Sequence, residues 1–203
     1  MQVRELAMAG AYEFTPVQHG DDRGLFLEWF KVEKFLGAAG HPLTLAQANM
    51  SVSKAGSLRG IHFADVPPGQ AKYVTCPAGA VVDFIIDIRV GSPTFGAVDA
   101  VRLDTVDRRA VYLAEGLGHA FLALEDGSTL TYLCSTGYSP GREHGINPLD
   151  PGIGLPLDGL LPAGVEYTLS DKDAQAPSLE EARLAGLLPT WDACQEYIAT
   201  LAP

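Results

Sequence analysis

The chain has 203 residues, 47% of them apolar and 19% charged, with a formal net charge of −11. That is an ordinary globular mix, long enough to bury its own core, and an acidic balance with no basic tract argues against a nucleic-acid partner. No stretch approaches the roughly 20 apolar residues that span a bilayer, and Met1–Gly10, with Arg4 and Glu5, lacks the long apolar run of a signal peptide. A cytoplasmic protein with no membrane partner is expected.

In chain order, Leu43–Ser53 is rich in short alternations. Gln70–Cys76 follows and closes on the turn signal Pro77-Ala78-Gly79. Ala80–Val90 is the strongest strand pattern. Val82, Phe84, Ile86, Ile88 and Val90 are apolar at every second position, and Asp83, Asp87 and Arg89 stand between them. That polar face either lines the inside of a small barrel or is solvated. Gly91-Ser92-Pro93 breaks the run. Further strands are predicted at Ala97–Leu103, Ala110–Leu113, Ala120–Leu124 and Ser128–Cys134.

Ser178 and Glu181 have the spacing of a capping box that starts a helix ending near Gly186. A second helix over Trp191–Leu201 gathers Trp191, Cys194, Tyr197, Ile198 and Leu201 on one face. Many short strands at regular spacing predict a mainly β sandwich or barrel. Residues 1–203 read as one domain, with helices at about 178–201 packed outside. Cys76, Cys134 and Cys194 form no C-x-x-C pair and read as small core residues.

Polar residues that a packed barrel does not need fall in three patches: Asp21–Glu28, Gln47-Ala48-Asn49 leading to Leu58–Phe63, and Gly69–Tyr73. Strict alternation sets Arg59, Ile61 and Phe63 on one strand face and His62 on the other, with Lys72 beside Val74 and Cys76. A barrel can therefore aim His62 and Lys72 into one cavity. Either residue is also compatible with a purely structural place. The His-x-His pair of metal-binding cupins is missing, since Ala64 stands two residues after His62. A ligand set of His62, His119 and a carboxylate is the metal alternative.

The run Ser57–Phe63 followed by Pro67–Tyr73 resembles the dTDP-4-dehydrorhamnose 3,5-epimerase family. So do Asp22-Arg23-Gly24 with Phe26 and Glu28, Gln47 with Asn49, Gly91–Gly96, Gly116–Phe121, Tyr132 with Tyr138-Ser139-Pro140 and Glu143, and Ser170-Asp171-Lys172-Asp173. The resemblance runs in order from residue 3 to about 190. It implies a cupin-type jelly roll, an isomerase needing no metal or cofactor, and a homodimer with exchange of N-terminal strands. The substrate it implies is dTDP-4-keto-6-deoxy-D-glucose, epimerised at C3 and C5 on the way to rhamnose or an antibiotic deoxysugar. A single-site epimerase of the same substrate is the alternative. A metal-dependent cupin enzyme and a non-catalytic sugar-nucleotide binder are the other classes.

By the same resemblance His62 is the general base, Asp173 orients it, Tyr132 is the acid on the opposite sugar face, and Lys72 faces the C4 oxygen. Arg23 and Arg59 hold the diphosphate, and Tyr138 stacks on thymine. Gln47, Asn49 and Glu28 line the nucleotide and sugar site, with Phe26, His119, Glu143 and Lys172 as further substrate contacts. The residue types suit the chemistry. Removing a proton beside a ketone leaves an enolate, which needs a base working near neutral pH and a cation at the oxyanion. Inversion needs an acid on the far face. The chain has Val98 and Leu155 where many members have Trp, and Ala120 where Gly is commoner. These departures bear on which carbon reacts.

Overall fold

The computed structural model describes residues 1–202. Strands are numbered in chain order. One sheet runs β1 (Gln2–Glu5), β2 (Ala11–Thr15), β10 (Ala110–Leu113), β7 (Lys72–Ala78), β12 (Ser128–Cys134) and β5 (Gln47–Ser53). A second runs β13 (Glu143–Gly145), β6 (Leu58–Ala64), β11 (Gly118–Ala123), β8 (Ala80–Ile86) and β9 (Val98–Asp104). All neighbours are antiparallel. Two such sheets packed face to face form the cupin-type jelly-roll barrel that the family resemblance implies, and they agree with the sandwich or barrel expected from the strand pattern.

The apolar residues sort into three layers. Val74, Val111, Leu113 and Leu130 of the first sheet meet Val81, Ile85 and Leu103 of the second between the sheets. Outside the second sheet, Val82, Phe84, Ile86 and Ile61 are covered by Ile146, Ile153, Leu157, Leu179 and Leu188. Outside the first sheet, Phe35 of α1 (Val32–Ala39) packs on Phe14, Tyr73 and Tyr112. β8 is therefore buried on both faces. Helix α1 is absent from the sequence reading. Its N-cap, Lys31, makes no capping bond, and Phe35 is its only buried side chain, so tertiary packing rather than a local signal holds it.

The strand at Ala80 is shorter than its pattern, because the alternation outlasts the ladder. At Asp87 the chain leaves β9, and the Asp87 carboxylate accepts bonds from Arg89 Nε at 2.8 Å, Ser92 Oγ at 2.6 Å and Thr94 Oγ1 at 2.6 Å. Burial raises the carboxyl's pKa, and these donors outweigh it and leave it lowered. The Arg89 guanidinium lies 4.6 Å from the centroid of the Trp191 ring. Gly91–Gly96 is thus the loop around a buried ion pair. Asp83, Asp87 and Arg89 are wholly buried, which excludes a solvated face.

Helix α3 (Leu179–Leu184) begins where the cap predicts, with Ser178 and Glu181 forming the reciprocal capping box, and α4 (Trp191–Ala199) begins at the expected Trp191. β3 (Gln18–Asp21) and β4 (Gly24–Leu27) pair only with each other, as an exposed hairpin. No helix among the described residues is long and apolar enough to cross a membrane.

Candidate active site

The site opens where β5, β12 and β7 of one sheet face β6 and β13 of the other. The register sets Gln47 beside Cys134 and Cys134 beside Lys72, with Asn49 beside Tyr132 in the next row. Gln47, Asn49, Tyr132 and Lys72 therefore share one face. The opposite wall is His62, Phe63 and Ala64 of β6, with Glu143 of β13 and Tyr138 at the rim. The open cavity they line is about 320 Å³.

β6 carries the main departure from strict alternation. His62 pairs with His119 and Arg59 pairs with Phe121, so three residues of β6 span two of β11. This bulge shifts the phase by one residue. Leu58, Ile61 and Phe63 turn into the core, while Arg59 comes to the side of His62. The expectation that Arg59 shares a face with Ile61 and Phe63 is corrected by that extra residue. Gly60 permits it: its φ is +110°, and a Cβ there would lie 2.4 Å from the His119 carbonyl oxygen.

Asp173 reaches His62 from far along the chain. The N–H of Leu58 donates to the Thr168 carbonyl at 3.0 Å, and the N–H of Thr168 donates to Gly56 at 2.8 Å. From there Ser170 caps the short helix α2 (Asp171–Ala174) by accepting the Asp173 N–H at 3.1 Å. Asp173 Oδ1 then lies 2.8 Å from His62 Nε2, and Oδ2 accepts the Gly60 N–H at 3.5 Å. Burial raises the Asp173 pKa, but the bond from His62, its charge, and the Ser170 and Gly60 donors leave it lowered. A carboxylate ionised at neutral pH fixes the ring and its tautomer.

Facing this dyad, Tyr132 has its pKa raised, chiefly by burial, so the phenol keeps its proton at neutral pH. Lys72 is only 8% exposed, and desolvation lowers its pKa against the opposing pull of Cys134, Glu143 and Asp83. His62 also lines a second groove of about 330 Å³, shared with Arg59, Lys172 and Asp173. Its two cations suit an anionic group beside the main cavity.

Other expected contacts vary. Tyr138 lines the cavity, and its N–H donates to Gln47 Oε1 at 3.0 Å, while Gln47 Nε2 donates to Asn49 Oδ1 at 2.7 Å. His119 lines neither cavity. It is buried beside His62, its direct partner across the β6–β11 ladder, with its Nε2 2.7 Å from Asp83 Oδ1. Arg23, Phe26 and Glu28 stay on or beside the β3–β4 hairpin, away from both cavities, with Arg23 paired to Asp21 and Glu28 to Lys31 at 2.9 Å. Met50 and Gln70 line the cavity without having been singled out as contacts, although Gln70 stands in the Gly69–Tyr73 patch. Among the described residues no group of three or more His, Cys, Asp and Glu is disposed to hold a metal.

An imidazole backed by a carboxylate, facing a protonated phenol across one cavity, has what inversion of a carbon by proton removal and return requires. With the jelly-roll barrel, this defines the class: an epimerase among the isomerases. The family model described as dTDP-4-dehydrorhamnose 3,5-epimerase matches residues 5–181. A dTDP-4-dehydrorhamnose 3,5-epimerase of Mycolicibacterium smegmatis is 60% identical over 201 residues, covering 99% of this chain and 97% of the relative. The solved structure of an epimerase from Mycobacterium tuberculosis matches with a TM-score of 0.95 and 53% identity, over 99% of this chain and 100% of that one. A 3'-monoepimerase from Streptomyces bikiniensis, solved in complex with dTDP-quinovose, matches with a TM-score of 0.91 and 49% identity, over 97% and 98%. The chain belongs to the dTDP-4-dehydrorhamnose 3,5-epimerase family.

Proposed function

We propose that the chain epimerises dTDP-4-keto-6-deoxy-D-glucose at C3 and C5. The observation that carries this reading is the opposition of His62 on one sheet, backed by Asp173 of α2, to Tyr132 and Lys72 on the other. His62 takes the proton beside the ketone, Lys72 stabilises the enolate oxygen, and Tyr132 returns a proton to the far face. The negative charge on the C4 oxygen sits in a partly buried pocket, where a single preorganised donor is worth about 3–4 kcal/mol. Arg59 and Lys172 hold the diphosphate in the adjoining groove, and Tyr138 stacks on the base at the rim.

Incubation with the keto sugar in deuterated water, followed by NMR, tests the reading. Deuterium and inversion are expected at both C3 and C5. Exchange at neither carbon overturns it. Exchange at one carbon alone makes the enzyme a single-site epimerase, the alternative that the likeness to a 3'-monoepimerase supports and on which the departures at Val98, Ala120 and Leu155 bear.

The working form in this reading is a homodimer. Leu25, Phe26, Met50 and Val52 are exposed on the hairpin and on β5, an edge strand, and apolar edges of that kind are covered in stable proteins. A two-fold contact made by the N-terminal region covers them and carries Arg23, Phe26 and Glu28 to the neighbour's site.

A further inference from the structure

The wall that carries Tyr138 is fastened from outside the cavity. Asp65 directly follows β6 and does not line the main cavity. Its Oδ1 lies 2.7 Å from His144 Nε2, and its Oδ2 lies 3.7 Å from Arg142 Nε. Its backbone N–H donates to the Arg142 carbonyl at 3.0 Å, and Arg142 Nη2 donates to the Pro67 carbonyl. Asp65 therefore grips β13 on both sides of Glu143, which pairs with Ala64. The Glu143 carboxylate in turn accepts the N–H of Ser139, the residue after Tyr138, at 3.2 Å. A partly open pocket of about 80 Å³, lined by Asp65, Gly69, Thr136, Ser139 and Arg142, adjoins this loop and leaves its packing incomplete.

We propose that Asp65 is a positioning residue for nucleotide binding, holding Tyr138 at the rim through His144, Arg142 and Glu143. The proposal rests on the reading that Tyr138 contacts the base of a dTDP-sugar. Each ion pair is partly exposed and weak alone. Their convergence on a three-residue strand makes the effect measurable.

The test is calorimetric binding of dTDP to the full chain and to Asp65→Ala, Tyr138→Ala and the double variant. Asp65→Ala is expected to raise Kd about three- to tenfold. The double variant should bind no more weakly than Tyr138→Ala, because the two losses act through one contact. An unchanged Kd, or penalties that add in full, overturns the proposal. So does an equal loss in Arg183→Ala, which breaks an exposed pair on α3 remote from the site. Amide hydrogen exchange over residues 136–145 without nucleotide decides the same point independently. Asp65→Ala should exchange faster there than the parent chain, and equal protection refutes the tether. A parent chain that fails to bind dTDP counts against the function reading, and the exchange result still decides the role of Asp65.

Discussion

At the residue scale, the proposed mechanism separates proton removal from inversion. His62→Ala should abolish solvent deuterium exchange at every reactive carbon, a base of this kind being worth about 10² to 10⁴ in rate. Tyr132→Phe should leave exchange running after inversion has stopped, since His62 can return a proton to the side it came from. Normal exchange and inversion in His62→Ala would sink the mechanism. Lys72 adds a pH signature. Its pKa lies below the ordinary 10.5, and only the ammonium form, present below that pKa, stabilises the enolate. Exchange should therefore fall as pH rises through a value lower than that of an ordinary lysine, and Lys72→Ala should be slow throughout and lack that limb. Asp173→Asn should slow exchange less completely than His62→Ala. The Asp173 carboxylate itself takes up a proton only below the ordinary carboxylate range, because its pKa is lowered.

At the element scale, the dyad depends on a close backbone approach at Gly56. The Cβ of an alanine at Gly56 would lie 2.3 Å from the Glu166 carbonyl oxygen, and Gly56 has φ +82°. Gly56→Ala should push away the strand-like segment that brings Asp173 to His62. Exchange activity should fall while the far side of the barrel keeps its amide protection, and full activity in this variant would show that the approach is not needed. The capping box of α3 gives the opposite case. Ser178→Ala should cost about 1 kcal/mol of stability in urea unfolding and leave exchange rates unchanged, since α3 packs on the outside of the barrel. The buried pair of Asp87 and Arg89 is more costly to break. Asp87→Ala strands a wholly buried guanidinium and should cost about 3–5 kcal/mol in the same measurement.

At the scale of the whole molecule, the proposed dimer makes a demand that a monomer does not. If Arg23 serves the neighbour's site, a mixed dimer of Arg23→Ala and His62→Ala chains contains one site with both residues intact. Co-expression of the two should recover activity that neither variant shows alone. Absence of recovery in isolated mixed dimers would place Arg23 outside the partner's site, and a monomer by sedimentation at micromolar concentration would count against the dimer itself.

The sequence by itself determined the elements whose signals are local. Alternation located the strands from Gln70 to Cys134, and the serine at 178 with the glutamate at 181 started a helix, because these patterns act over two to four residues. Family resemblance singled out His62, Tyr132, Lys72 and Asp173 before any geometry was known. Tertiary structure alone decided how they meet. Strict alternation set Arg59 apart from His62, and the extra residue in β6 opposite β11 reversed that. The polar residues of the Ala80–Val90 run were open to two readings until Asp83 met His119 and Asp87 met Arg89 inside the protein. The approach of Asp173 to His62 spans 111 positions and runs through backbone bonds to residues 56–58, a partnership that no window of sequence contains. Helix α1 and the grip of Asp65 on β13 were equally invisible, because each is held by contacts between distant segments rather than by the propensities of its own residues.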